Sequence, residues 1–118
     1  MLLKMVNLTP HDITVVADDG SEQTVEYPRS GQVARAVEVR VPGHALSDTM
    51  SIGTYRVSYL GVDNLPEPQP GVGFIVSVLT LIAAKASGRD VYDLYYPGQL
   101  VRDIKGRTIG CAALYQMD

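Results

Sequence analysis

Apolar and polar residues alternate along most of this chain, and turn residues interrupt the alternation at short intervals. Such a pattern predicts many short strands. Val6 to Leu8 and Ile13 to Val16 are the first two. Between them Thr9-Pro10-His11-Asp12 forms a turn, because Pro fixes φ and the Thr and Asp side chains take local backbone bonds. Asp18-Asp19-Gly20-Ser21 predicts a hairpin, since Asp-Gly supplies the positive φ of a tight turn, and Gln23 to Tyr27 is the returning strand. Pro28-Arg29-Ser30-Gly31 ends that pair. From Val33 to Val41 the alternation is strict, with Val33, Val37, Val39 and Val41 on one face and Ala34, Ala36, Glu38 and Arg40 on the other. Arg35 falls on the valine face by parity. It needs a partner if buried, unless a strand end lets its long stem reach water. Pro42 to Gly53 reads as a loop, and Tyr55 to Leu60 alternates again.

The stretch from Asp63 to Ala86 changes character twice. Pro66, Pro68 and Pro70 fix φ and remove backbone donors, so neither helix nor central strand forms there. Gly71 and Gly73 then lead into Phe74, Ile75 and Val76, a buried strand. Beyond Ser77, the positions Val78, Leu81, Ile82 and Lys85 recur at helical spacing, which predicts a short helix closed by Ser87-Gly88. The run is shorter than the ~18–20 apolar residues of a membrane span and is interrupted by Ser77 and Thr80. Leu94 to Tyr96 reads as a short strand closed by Pro97-Gly98. A last hairpin turns at Asp103-Ile104-Lys105-Gly106, holding Arg102, Asp103 and Arg107 close together, and returns over Arg107 to Leu114. These elements predict one α+β domain over residues 1–118, a mainly antiparallel sheet with one or two short helices.

Composition sharpens the picture at three points. The chain has one Phe and no Trp, so large core side chains are scarce and an oligomer would help bury apolar surface. Its net charge of −3 does not suit a long nucleic acid, which calls for a basic surface. A small anionic ligand gripped by a few of the arginines stays open. The single cysteine, Cys111, excludes an intrachain disulfide and lies in strand sequence, as a buried inert thiol does. The opening MLLKMVNL is too short and too soon polar for a signal peptide, so a reducing cytoplasm is the expected location.

No catalytic constellation emerges. His11 and His44 sit in turn-like sequence without a matching nucleophile, and with one cysteine they give no metal-ligand spacing. There is no Gly-rich phosphate loop opening a helix. Asp18 and Asp19 are turn formers. A binding function remains: Phe74 stacking on a base, Arg35, Arg89 and Arg102 holding phosphates by forked hydrogen bonds, and Asp103 accepting from a ribose hydroxyl or base amine.

Several strings together carry a resemblance: NLTPHDITV, SGQVAR, LPEPQPGVGFIVS, PGQLVRD and GRTIGC. The chain resembles, over nearly its whole length, the phage-encoded Thoeris anti-defence sponges of the first type. The resemblance implies a non-enzymatic protein, without a cofactor, that sequesters cyclic ADP-ribose isomers in the infected host without cleaving them. Some members also take cyclic oligonucleotides of CBASS defence at a separate pocket. Members assemble as dimers and hexamers with the signal at the dimer interface. The family's stacking aromatic falls on Phe74 and its phosphate arginine on Arg102, with Asp103 beside it and Arg35 as a further match. Arg89 is added on chemistry alone, and Ala84 to Asp90 lacks an amide side chain.

Two other classes remain open. A phage structural or assembly module would oligomerise without a ligand, and nucleotides would leave its melting temperature unchanged. A small-nucleotide hydrolase using Asp90 or Asp103 as base would release product on long incubation.

Overall fold

The computed structural model describes residues 3–118; Met1 and Leu2, where the signal-peptide reading begins, lie outside the described residues. Strand β1 (Lys4–Asn7) is followed by β2 (Ile13–Val16) and β3 (Thr24–Tyr27), then by the long pair β4 (Arg35–Ala45) and β5 (Gly53–Asp63). After the proline loop come β6 (Val72–Ile75), the one helix among the described residues, α1 (Val78–Ala86), then β7 (Leu94–Arg102) and β8 (Thr108–Tyr115). The architecture is the expected α+β one. No helix among the described residues is long and apolar enough to cross a membrane.

Six strands form one sheet in the order β1-β6-β7-β8-β2-β3. The longest ladder in it, β7 with β8, is antiparallel, as is β2 with β3, whereas β1–β6, β6–β7 and β2–β8 are parallel. The ends of the order meet again. Asn7 bridges to Arg29 just past β3, and Ser30 N–H donates to the Asn7 carbonyl at 3.1 Å. The sheet therefore curls almost closed and has an inner and an outer face.

Successive residues of β6 divide between those faces, as strand geometry requires. Ile75 joins Ile13 and Cys111 in one cluster, with Met5, Val15, Tyr27 and Leu114 around it. Phe74 and Val76 join Leu8, Ala34, Leu81, Ala84 and Leu94 in the other, beneath α1. The helix starts where Ser77 accepts the Thr80 N–H, and it ends at Ser87 with Gly88 at φ 89°. It is pinned sideways by the Thr80 hydroxyl, which donates to the Ala34 carbonyl at 3.2 Å.

Two sequence boundaries need correction, for one physical reason. Residues 42–45 extend β4 instead of opening a loop, and β7 runs on through Pro97-Gly98 to Arg102. Proline breaks a strand only where its missing N–H is needed by a neighbour. β4 has a single neighbour, β5, and β7 contacts β6 only at Leu94 and Tyr95, so both prolines lie on open edges.

β4 and β5 stand apart from the sheet as a two-stranded arm. The molecule measures 57 × 40 × 27 Å with a radius of gyration of 17.6 Å. A compact domain of this length would have a radius of ~13.5 Å. The arm accounts for the difference.

Candidate functional site

The structure disperses the residues the sequence singles out. Phe74 is 2% exposed and packs in the cluster under α1, so its ring is closed to any ligand. Its expected stacking role is thereby corrected. The strand that carries it is central, paired to β1 on one side and β7 on the other, and its outer face is roofed by the helix.

Arg89 is also committed within the chain. Its Nη1 and Nη2 donate to the two Asp93 carboxylate oxygens at 2.8 and 3.0 Å. The same nitrogens reach the Asp90 and Pro66 carbonyls at 2.6 Å each. With the side chain only 12% exposed, this fork ties the helix exit to the proline loop and cannot also grip a phosphate. The expected ligand role is replaced by a structural one.

At the β7–β8 turn Arg102, Asp103 and Arg107 do come together. Arg102 Nη1 donates to the Gly106 carbonyl at 3.1 Å. Asp103 Oδ1 accepts from the Lys105 and Arg107 backbone N–H groups at 2.9 Å each, and its Oδ2 pairs with Arg107 Nε at 3.1 Å. The Arg107 backbone bond, above all, holds the Asp103 carboxyl below the usual carboxylate range. Its acceptors serve the turn. Arg102 itself remains exposed.

Arg35 alone opens onto a cleft. It begins β4 at the foot of the arm, exposed, opposite Asp63 in the β5 register. The cleft holds 330 Å³ and lies between the Thr9-Pro10 turn, the arm foot and the start of α1. Arg35, Glu38 and Tyr59 come from the arm, Leu79 and Thr80 from the helix, and Leu8 and Ala34 form part of the floor. That volume is at the small end of the ~300–1,000 Å³ of ligand sites. Glu38 is engaged by Arg40 at 2.9 Å, while Arg35 takes part in none of the ion pairs among the described residues. The charged groups lining the cleft are Arg35 and Glu38, and of the two only Arg35 has no ion-pair partner within 4 Å among the described residues. Tyr59, half-buried, supplies an aromatic wall.

The Thr9-Pro10 turn at the cleft edge is fixed by a small polar network that sequence reasoning missed. Asn7 is 2% exposed, and its amide is fully employed. Nδ2 donates to the His11 and Tyr27 carbonyls at 2.8 Å each, and Oδ1 accepts the Thr9 N–H at 2.9 Å and its hydroxyl at 2.7 Å. Asp12 completes the corner by accepting Arg29 N–H at 2.9 Å and Nε at 3.0 Å. Those bonds, the backbone one first, lower the Asp12 carboxyl below its ordinary value. The Asn-x-Thr spacing was the available signal, because both side chains cap nearby backbone.

Other reactive groups are withdrawn. Cys111 is 2% exposed and burial pushes its thiol pKa up. Among the described residues no group of three or more His, Cys, Asp or Glu is placed to hold a metal ion. Comparison with protein-family models, with characterised proteins and with solved structures finds no match.

Proposed function

We propose that this chain is a non-enzymatic binding protein that captures a cyclic ADP-ribose signal in the cytoplasm of an infected bacterium, blunting Thoeris defence on behalf of a phage. The resemblance in NLTPHDITV, SGQVAR and PGQLVRD suggested this class. The observation that carries it is the cleft at the arm foot, lined by Tyr59 and by Arg35, which takes part in none of the ion pairs among the described residues. A dianionic nucleotide is held by forked guanidinium bonds and by stacking, and tight retention needs rigid groups. Arg35 sits on a strand, and the Asn7 network fixes the facing turn. In this reading Tyr59 takes the stacking role first assigned to Phe74. Cyclic oligonucleotides of CBASS are a second ligand class to try at the same time.

The test is retention followed by release. Purified protein is mixed with cyclic ADP-ribose, free ligand is removed, and the protein is denatured by heat. Intact ligand recovered from the supernatant is the expected result. A hydrolysed product would replace the sponge by an enzyme, and recovery of nothing would remove the binding function.

One observation favours a second reading. Exposed apolar residues along the separate β4–β5 arm suit an interaction module, and such a module would show no ligand-dependent melting shift.

A further inference from the structure

We propose that Glu38 sets the specificity of the arm-foot cleft, a role that rests on the nucleotide-binding reading of that cleft. Its carboxylate accepts a hydrogen bond from a free ribose hydroxyl of the ligand and turns away a ligand phosphorylated at that position. Arg35 and Glu38 are the two charged residues lining the cleft, and their signs are opposite. They are three residues apart on β4, so their Cα atoms lie roughly 10 Å from each other along the extended strand. One end of the cleft attracts an anion and the other repels it.

The pairing register puts Tyr59 at the glutamate end. Val37 pairs with Gly61, but the next pair is Glu38 with Tyr59, so Leu60 is an extra residue in β5. Gly61, at φ 148°, supplies the backbone that such a bulge needs. Residues directly opposite share a face. Leu60 is turned out, 70% exposed, while Tyr59 is half-buried and lines the cleft with Glu38. In this arrangement a base stacked on Tyr59 has its ribose at Glu38 and its phosphates at Arg35.

The Glu38 carboxylate is only half engaged. Arg40 Nε donates to Oε1 at 2.9 Å, and the ion pair from Arg40 Nη2 falls on the same oxygen at 2.9 Å. Oε2 accepts no hydrogen bond among the described residues. Arg40 follows two positions along the strand, on the same face, and its side chain is 66% exposed. It does not line the cleft, so it steadies the glutamate without filling the space a ligand would take.

An ionised carboxylate accepts hydrogen bonds and donates none. It pairs with a hydroxyl, and it meets a phosphate only by like-charge repulsion. Dinucleotide-binding folds use the same chemistry, an acidic residue for the free ribose hydroxyl and an arginine for its phosphate ester. With Arg40 already on Oε1, no cationic side chain that lines the cleft is left at the glutamate end to take a second phosphate.

Calorimetric titration of the full-length protein with cyclic ADP-ribose and with its 2′-phosphorylated analogue tests the proposal. The parent should bind the analogue at least about tenfold more weakly. Glu38→Gln keeps an oxygen acceptor but loses the charge, and it should bring the two ligands within about threefold of each other. Its melting temperature should match the parent's, since the position is exposed. Glu67→Gln removes the same charge from the exposed proline loop and should discriminate as the parent does. A parent that binds both ligands alike overturns the role of Glu38 while the binding function stands. So does a Glu38→Gln variant with the parent's discrimination, or a Glu67→Gln variant that loses it. A parent that binds neither ligand removes the binding function and the role of Glu38 with it.

Discussion

Arg89 holds Asp93 in a two-pronged grip, 2.8 and 3.0 Å, with the two side chains only 12% and 3% exposed. This buried pair joins the end of α1 to the proline loop through the Pro66 carbonyl. Its cost is visible in Arg89 Nε, a buried N–H without a partner.

Removing one side of such a pair leaves a buried charge uncompensated. Asp93→Ala should lower unfolding free energy by about 3–5 kcal/mol in chemical denaturation. The double replacement Arg89→Leu/Asp93→Leu should lose less than Asp93→Ala. A double variant as unstable as the single would show that the bonds to Pro66 and Asp90, and not the ion pair, carry the latch.

Phe74→Ala should cost about 3–5 kcal/mol, the range for truncating a large aromatic in a packed core. Arg35→Ala, at an exposed position, should fall within about 0.5 kcal/mol of the parent. Thermal melts of the two variants separate a core residue from a cleft residue. A Phe74→Ala protein with unaltered stability would place that ring outside the core.

The Asp103 carboxyl lies below its ordinary value of 3.8, chiefly through the Arg107 backbone bond. A carboxyl depressed in the folded state adds stability above its unfolded pKa, and that stability is lost as pH falls through the folded value. Asp103→Asn keeps an acceptor for the turn but removes the charge. Its melting temperature should trail the parent at neutral pH, and the gap should close as the pH drops below 3.8. A gap that persists at low pH would assign the effect to turn geometry alone.

A methyl group added at Gly110 would stand 2.6 Å from the Thr14 carbonyl oxygen. The obstacle is backbone of β2, which β8 meets at a single register pair, Val15 with Cys111. Gly110→Ala should therefore destabilise by about 1–3 kcal/mol, measured by denaturant titration. Insensitivity there would mean that the β2–β8 junction is loose.

Local patterns were legible wherever a side chain acted on its own backbone. The Asp19-Gly20 turn, the Gly88 helix end and the Asp103 turn all form where the sequence places them, and the helix begins just past Ser77 as its spacing predicts. The strands around Pro42 and Pro97 were shortened because sequence does not show which strand edges lie open. The site was less legible still. Phe74 looked available because it is the only phenylalanine and follows a rigid loop, but the covering helix comes from residues after it. Arg89 and Arg35 are alike as sequence. One lies four residues from a buried carboxylate, and the other opens a strand at the edge of a cleft.

The most direct measurement is a calorimetric titration of cyclic ADP-ribose into the parent protein, Arg35→Ala and Arg102→Ala. Binding by the parent, at least about tenfold weaker binding by Arg35→Ala with its melting temperature unchanged, and parent-like binding by Arg102→Ala is the predicted result. No heat of binding with the parent would contradict the sponge function. Parent-like binding by Arg35→Ala together with loss in Arg102→Ala would move the site from the arm foot to the β7–β8 turn.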